Sequence, residues 1–299
     1  MTTTTVREAT SIVTAHRQEE GAGFIVRRPF PSASLRQVDP FLMIDEMGPA
    51  EYGPGEALGA PDHPHRGFET VSYMLDGEFE HEDSAGHRGL LRSGDVQWMT
   101  AGAGIIHSEM PSKRTREEGG RMHGFQIWVN LPARLKMSRP RYQEVPAAKI
   151  PEGRSADGRA KVRVVAGEAL RVRAVIETNT PIVFQDWTID ASGDVTTAIA
   201  RDHNALVYVF GGAVLVGDDG KEVKDGQLAV LGAGDAVRLR VADGASGSAR
   251  LLLLAGVPIA EAVVQYGPFV MNTEKEIRQA IGDFQTGRMG EITRTAQTS

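Results

Sequence analysis

A chain of 299 residues with 41 % hydrophobic and 24 % charged residues can bury one large core or two ordinary ones. Its net charge of −6 and pI near 5.8 argue against a nucleic-acid-binding surface, which needs clustered positive charge. The absence of cysteine excludes disulfides, thiolate metal sites and cysteine nucleophiles. At the N-terminus, Met1 to Ala15 is threonine-rich and carries Arg7 and Glu8 where a signal peptide needs an apolar run. The longest apolar run, Leu251 to Leu254 continuing to Val257, is too short to span a bilayer. A cytoplasmic protein that contacts neither membrane nor nucleic acid is expected.

Short apolar runs closed by Gly and Asp follow one another along the chain, which predicts strands joined by tight turns. In Asp62-His63-Pro64-His65 the two histidines are two residues apart, so an extended strand puts both on one face, roughly 6.6 Å apart. Thr70 to Leu75 is the next strand, ending at Asp76-Gly77. The acidic hairpin Glu78 to Gly89, with His81 and His87, reads as solvent-exposed. After the Gly94-Asp95 turn, His107 and Glu109 repeat the two-residue spacing. Lys113 to Glu118, mixed in sign, predicts a solvated loop, and His123 precedes a strand from Phe125 to Val129.

The polar stretch from Arg139 to Gly158, with Pro140, Pro146 and Pro151, predicts a linker. That divides the chain into domains 1–138 and 159–299, separated by the linker 139–158. The second half repeats the first. Tyr208 to Gly212 aligns with Tyr73 to Gly77, and Val230 to Ala236 resembles Leu90 to Val96. A repeat this long means two copies of one all-β domain, a sandwich or barrel. In the second copy His63 and His65 fall on Ala198 and Ala200, and Glu69 falls on Asn204. The region matching His107 and Glu109 is expected around Gly247 to Ala249. At the C-terminus Ile277, Ala280, Ile281 and Phe284 recur at helical spacing behind Asn272 or Thr273 as N-cap, with Glu276 placed for a capping box. This helix is expected to pack on the second domain.

Two facing strands could aim three imidazoles and one carboxylate at a single point. Mixed nitrogen and oxygen donors suit a borderline divalent metal such as iron, manganese, nickel or copper. Taken singly, His-Pro-His also reads as a solvated loop and Glu109 as a turn cap. Rival chemistry lacks its signatures: Gly53-Pro54-Gly55 and Gly102-Ala103-Gly104 carry no Lys-Ser/Thr for phosphate, and there is no Gly-x-Ser-x-Gly elbow.

The order His-x-His, Glu, Gly turn, Gly-Asp turn and later His resembles the two motifs of the cupin superfamily. More closely, Asp62 to Thr70, Gly94 to Gly102, Gly104 to Pro111, Trp128 to Leu131 and Gly267 to Thr273 are similar to the pirin family. The resemblance runs from about Pro40 to Phe284. It implies an all-β fold of two tandem cupin (jelly-roll type) β-barrel domains with a C-terminal α-helix, of which only the first binds metal. It further implies His63, His65, His107 and Glu109 as ligands of one divalent metal, Fe(II) foremost, with Cu, Mn, Ni or Zn as alternatives. Glu69, Phe68 and His123 are then expected beside the ligands or in the pocket wall. The implied activity is quercetin 2,3-dioxygenase, opening a flavonol with O2, with Glu109 as catalytic base. The alternative the family offers is a non-catalytic, iron-dependent, redox-responsive regulator that binds a protein partner. A monomer is expected.

Overall fold

The computed structural model describes residues 4–245 and 247–294. Residues 1–3 of the threonine-rich stretch, and 246 and 295–299 of the expected second domain, lie outside it. The predicted alternation of strands and turns is what forms. Phe68–Asp76 is a strand whose first seven residues are all buried, because both of its faces are covered.

The chain divides into two compact units, each drawing on separate parts of the sequence. The histidine unit comprises Arg17–Arg27, Met43–Ala147 and Ile259–Ser299. Its larger sheet runs in the order Arg141–Val145, Val96–Thr100, Phe68–Asp76, Gly120–Asn130, Phe41–Tyr52, Phe24–Phe30, His16–Glu20. Its smaller sheet runs Ala60–His65, Ile105–Pro111, Glu78–Asp83, Arg88–Arg92. Every strand pairing recorded within these sheets is antiparallel.

The second unit comprises Met1–His16, Arg28–Leu42 and Ala148–Pro258. Its larger sheet runs Ala9–Thr14, Gln227–Leu231, Asn204–Gly211, Ala249–Gly256, Ile182–Ile189, Ala160–Ala166, Glu152–Arg154. Its smaller sheet runs Asp194–Ala198, Ala236–Arg240, Ala213–Val216, Lys221–Lys224. A closely packed core with Trp187, Val207, Val237, Leu239, Leu251 and Leu253 fills it. Both units are therefore jelly rolls of a seven-stranded and a four-stranded sheet, which bears out two tandem all-β domains and a C-terminal helix. They are layered sheets rather than closed barrels.

The domain boundaries differ from the expected ones. The stretch read as a linker supplies an edge strand to each large sheet, Arg141–Val145 to one and Glu152–Arg154 to the other. The N-terminal strand Ala9–Thr14 pairs with Gln227–Leu231 and so belongs to the second unit. The C-terminal helix Glu274–Gln285 belongs to the histidine unit, not the second. Its start is as predicted: Thr273 caps it, accepting from the Glu276 amide, while the Glu276 carboxylate accepts from the Asn272 amide. Its buried face is Ile277, Ala280 and Asp283, and Phe284 is exposed. The buried partner of Asp283 is Arg66, which is why the helix docks where it does. Lys113–Glu118, expected as a loop, is a short helix capped by Ser112, solvated as expected except at Thr115.

Candidate metal centre

His63 and His65 lie on Ala60–His65, and His107 and Glu109 on its antiparallel neighbour Ile105–Pro111. His107 is directly opposite His63, and Ile105 is opposite His65. The register then slips, so that Glu109 faces Ala60. The three imidazoles converge, with ring centroids 4.7 Å (His63–His65), 4.4 Å (His63–His107) and 4.9 Å (His65–His107) apart. Their donor nitrogens all lie within 4.8 Å of one another. One ion at the ~2.0–2.1 Å typical of a metal–imidazole bond could bridge such a set.

The chemistry of this trio fits a cation. His65 and His107 are buried, and neither nitrogen of either ring has a hydrogen-bond partner in the protein. Burial, reinforced by the neighbouring imidazoles, holds both well below the ordinary histidine pKa, so both rings are neutral and their lone pairs available. A buried polar atom left unpaired costs about 1–3 kcal/mol, a cost that a shared ion removes. His63 is less buried, and its Nδ1 lies 2.7 Å from the Pro61 carbonyl oxygen. With Nδ1–H donating there, Nε2 is the free acceptor of that ring.

The end of the His-Pro-His strand is braced from several directions. Arg66 Nε donates to the Ala103 carbonyl at 2.6 Å, and its Nη1 meets Asp283 Oδ2 at 2.8 Å. Gly67 has φ +88°, and a Cβ there would lie 2.0 Å from the Val270 carbonyl oxygen, so only glycine fits. Lys136, buried, donates to Gly67 O, Asn130 Oδ1 and Val270 O. Burial lowers its pKa to about 8.

Glu109 is not one of the grouped donors. Its carboxylate accepts from Ser72 Oγ (2.6 Å) and from Gln126 Nε2 (3.0 Å). Each oxygen keeps a further lone pair, and Ser72 and Gln126 fix the carboxylate from behind. Phe68 lies edge-on to His65 at 5.1 Å, with Trp128 beside both. Alternation along Phe68–Asp76 sends Phe68 and Ser72 to the site and Glu69 to the opposite face. There Glu69 accepts from Thr100 Oγ1 at 2.7 Å, away from the three histidines. His123 is also elsewhere, its Nε2 at 2.9 Å from Glu46 Oε1.

His81 is the correction within the hairpin. Expected in solvent, it is buried, lying against His107 (5.6 Å between centroids) and Tyr142 (4.8 Å). His87 is exposed as expected. In Glu78–Asp83 the odd positions His81 and Asp83 turn inward while the glutamates remain partly exposed. The two-residue period was present in the sequence, but the inward row is polar and so did not read as a core.

Comparison with known proteins agrees with this architecture. The Pirin family model matches residues 23–129, and the Pirin C-terminal cupin domain matches residues 184–290. Human Pirin is 42 % identical over 287 residues, covering 95 % of this chain and 94 % of its own. A tomato (Solanum lycopersicum) Pirin-like protein is 44 % identical, covering 93 % and 91 %. A crystal structure of quercetin 2,3-dioxygenase from Acinetobacter baumannii superposes with a TM-score of 0.88 at 36 % identity, covering 96 % of this chain and all of that one. With two cupin jelly rolls, three converging histidines in one of them and these relatives across nearly its whole length, the chain belongs to the pirin family.

Proposed function

We propose that this protein is a metal-dependent quercetin 2,3-dioxygenase whose single metal is held by His63, His65 and His107, with Glu109 as the fourth ligand. The observation that carries the reading is the convergence of three imidazoles, two of which, His65 and His107, have buried nitrogens with no partner in the protein. Similarity to the Acinetobacter quercetin 2,3-dioxygenase supports the substrate class. Fe(II) is the proposed ion, since neutral imidazoles with one carboxylate and open positions suit non-haem iron. When bound, the ion supplies Lewis acidity and couples an electron-rich flavonol to O2.

The chain's own residues supply the rest. Glu109, held by Ser72 and Gln126, is the base for the flavonol 3-hydroxyl proton, which leaves the ring as an enolate. The buried ring of Phe68 keeps water from His65, and the half-buried Trp128 beside it offers apolar surface to a flat aromatic substrate. Arg66 and Lys136 hold the strand end so that the imidazoles need not reorganise. O2 adds across the enolate, both its atoms enter the opened product, and carbon monoxide leaves.

The test is oxygen uptake together with loss of flavonol absorbance by iron-loaded protein, against a His63→Ala control. Uptake that depends on His63 is expected. Full iron occupancy without uptake overturns the enzyme and leaves the regulatory reading, in which ferrous and ferric protein must differ in the partner they capture.

A further inference from the structure

His65, His81 and His107 are all buried with unpaired ring nitrogens, but a shared metal accounts only for those of the converging trio. His81 is left over. It stands directly opposite Glu109 across the strand pair. Its Nε2 is 4.0 Å from Asp83 Oδ2, beyond hydrogen-bonding distance, and Asp83 is engaged by the amides of Ala85 and His87 and by the His87 ring. A small cavity of about 20 Å³ lies against it, with Ser72, His81 and Glu109 as its polar lining and Phe24, Phe79 and Leu91 among its apolar walls.

A volume of this size holds one water molecule, which needs roughly 10–15 Å³ and two or more polar partners. The cavity offers Glu109 as acceptor and an imidazole nitrogen of His81 as the second partner. We propose that this cavity is a binding site for one solvent molecule bridging His81 and Glu109, and that His81 is the positioning residue which holds Glu109 toward the three imidazoles. Ser72 and Gln126 bond the carboxylate directly, and the bridged His81 adds a third tether from the facing strand. Without it, the carboxylate is held by Ser72 and Gln126 alone of these three. The inference rests on the reading of Glu109 as a ligand, and its test uses Co(II) alone so that it does not depend on dioxygenase activity.

Crystals of Co(II)-loaded protein should show one oxygen within hydrogen-bonding distance of both His81 and Glu109. In solution, His81→Phe should fill the cavity, weaken Co(II) binding about ten-fold and shift the visible Co(II) absorption in the direction that Glu109→Gln does. His81→Gln, which keeps a polar group there, should restore the wild-type spectrum. A His81→Phe protein with wild-type affinity and spectrum overturns the positioning role. An empty cavity in the wild-type crystals overturns the bridge, and that result stands even where His81→Phe fails to fold. A spectrum unmoved by Glu109→Gln instead sinks the assignment of Glu109 as ligand. Absence of oxygen uptake with the expected spectra sinks only the dioxygenase reading.

Discussion

The two units share one strand order, yet among the described residues converging metal donors are found in just one of them. In the histidine unit Ile105–Pro111 lies between Ala60–His65 and Glu78–Asp83. In the second, Ala236–Arg240 lies between Asp194–Ala198 and Ala213–Val216. Matching through the hairpin, with His81 opposite Glu109 and Val216 opposite Leu239, places the buried Thr197, Ile199, Val237 and Leu239 where the other unit has His63, His65, His107 and Glu109. The counterpart of the His107 strand is therefore Ala236–Arg240, not the segment around Gly247 to Ala249 expected from a fixed offset. Arg238, between Val237 and Leu239, points the other way, to Asp194 and Asp218 at the surface. The same framework thus supports either converging imidazoles or a largely apolar core. Strand order alone does not make a metal centre; what faces inward at three positions does.

The largest effect should come from His107→Ala, which takes one of the three converging imidazoles from the first unit. Metal per chain, measured by elemental analysis after dialysis, should fall from one to none, an affinity loss beyond the ~100-fold upper end for losing an outer partner. Retention of stoichiometric metal would erase the contrast between the units. Next come the braces peculiar to the histidine unit. Gly67→Ala must move the Val270 carbonyl and adopt a left-handed backbone, so denaturant unfolding should show a loss of about 3 kcal/mol. Asp283→Asn leaves Arg66 buried beside a neutral partner and should cost about 2 kcal/mol while weakening metal binding.

A smaller effect is pH-dependent. His65 and His107 have folded-state pKa values below the unfolded 6.5, so the unfolded chain binds more protons between the two values. Metal-stripped protein should therefore hold this part of its stability above about pH 6.5 and lose it as pH falls below. His107→Ala should flatten that slope in urea titrations at pH 7.5 and 5.5; an unchanged slope would contradict neutral, buried imidazoles. The smallest effect belongs to the surface of the other unit. Arg238→Ala removes partly exposed ion pairs and should change stability by no more than about 1 kcal/mol and metal content not at all.

The alternation of polar and apolar residues made the strands legible, and the His63–His65 and His107–Glu109 spacings made the donors legible. What brings Glu109 its partners was not readable, since Ser72 and Gln126 are ordinary polar residues whose meeting depends on sheets stacking. Glu69 shares sequence parity with His65, but Gly67, with its positive φ, lies between them, and Glu69 ends on the opposite face. The helix was legible as a helix, cap included, because capping is local. Its berth was not, because that depends on Arg66 meeting Asp283 across most of the chain.

That distance orders events during synthesis. Residues 63–107 leave the ribosome long before Pro268, Val270 and Asp283, which brace Arg66 and Gly67 from the far end of the chain. N-terminal domains usually fold while the rest is still being made. Here the histidines wait for the last turn of the message, so a premature stop near residue 260 would silence a site encoded two hundred codons earlier. The candidate centre is written early and braced late.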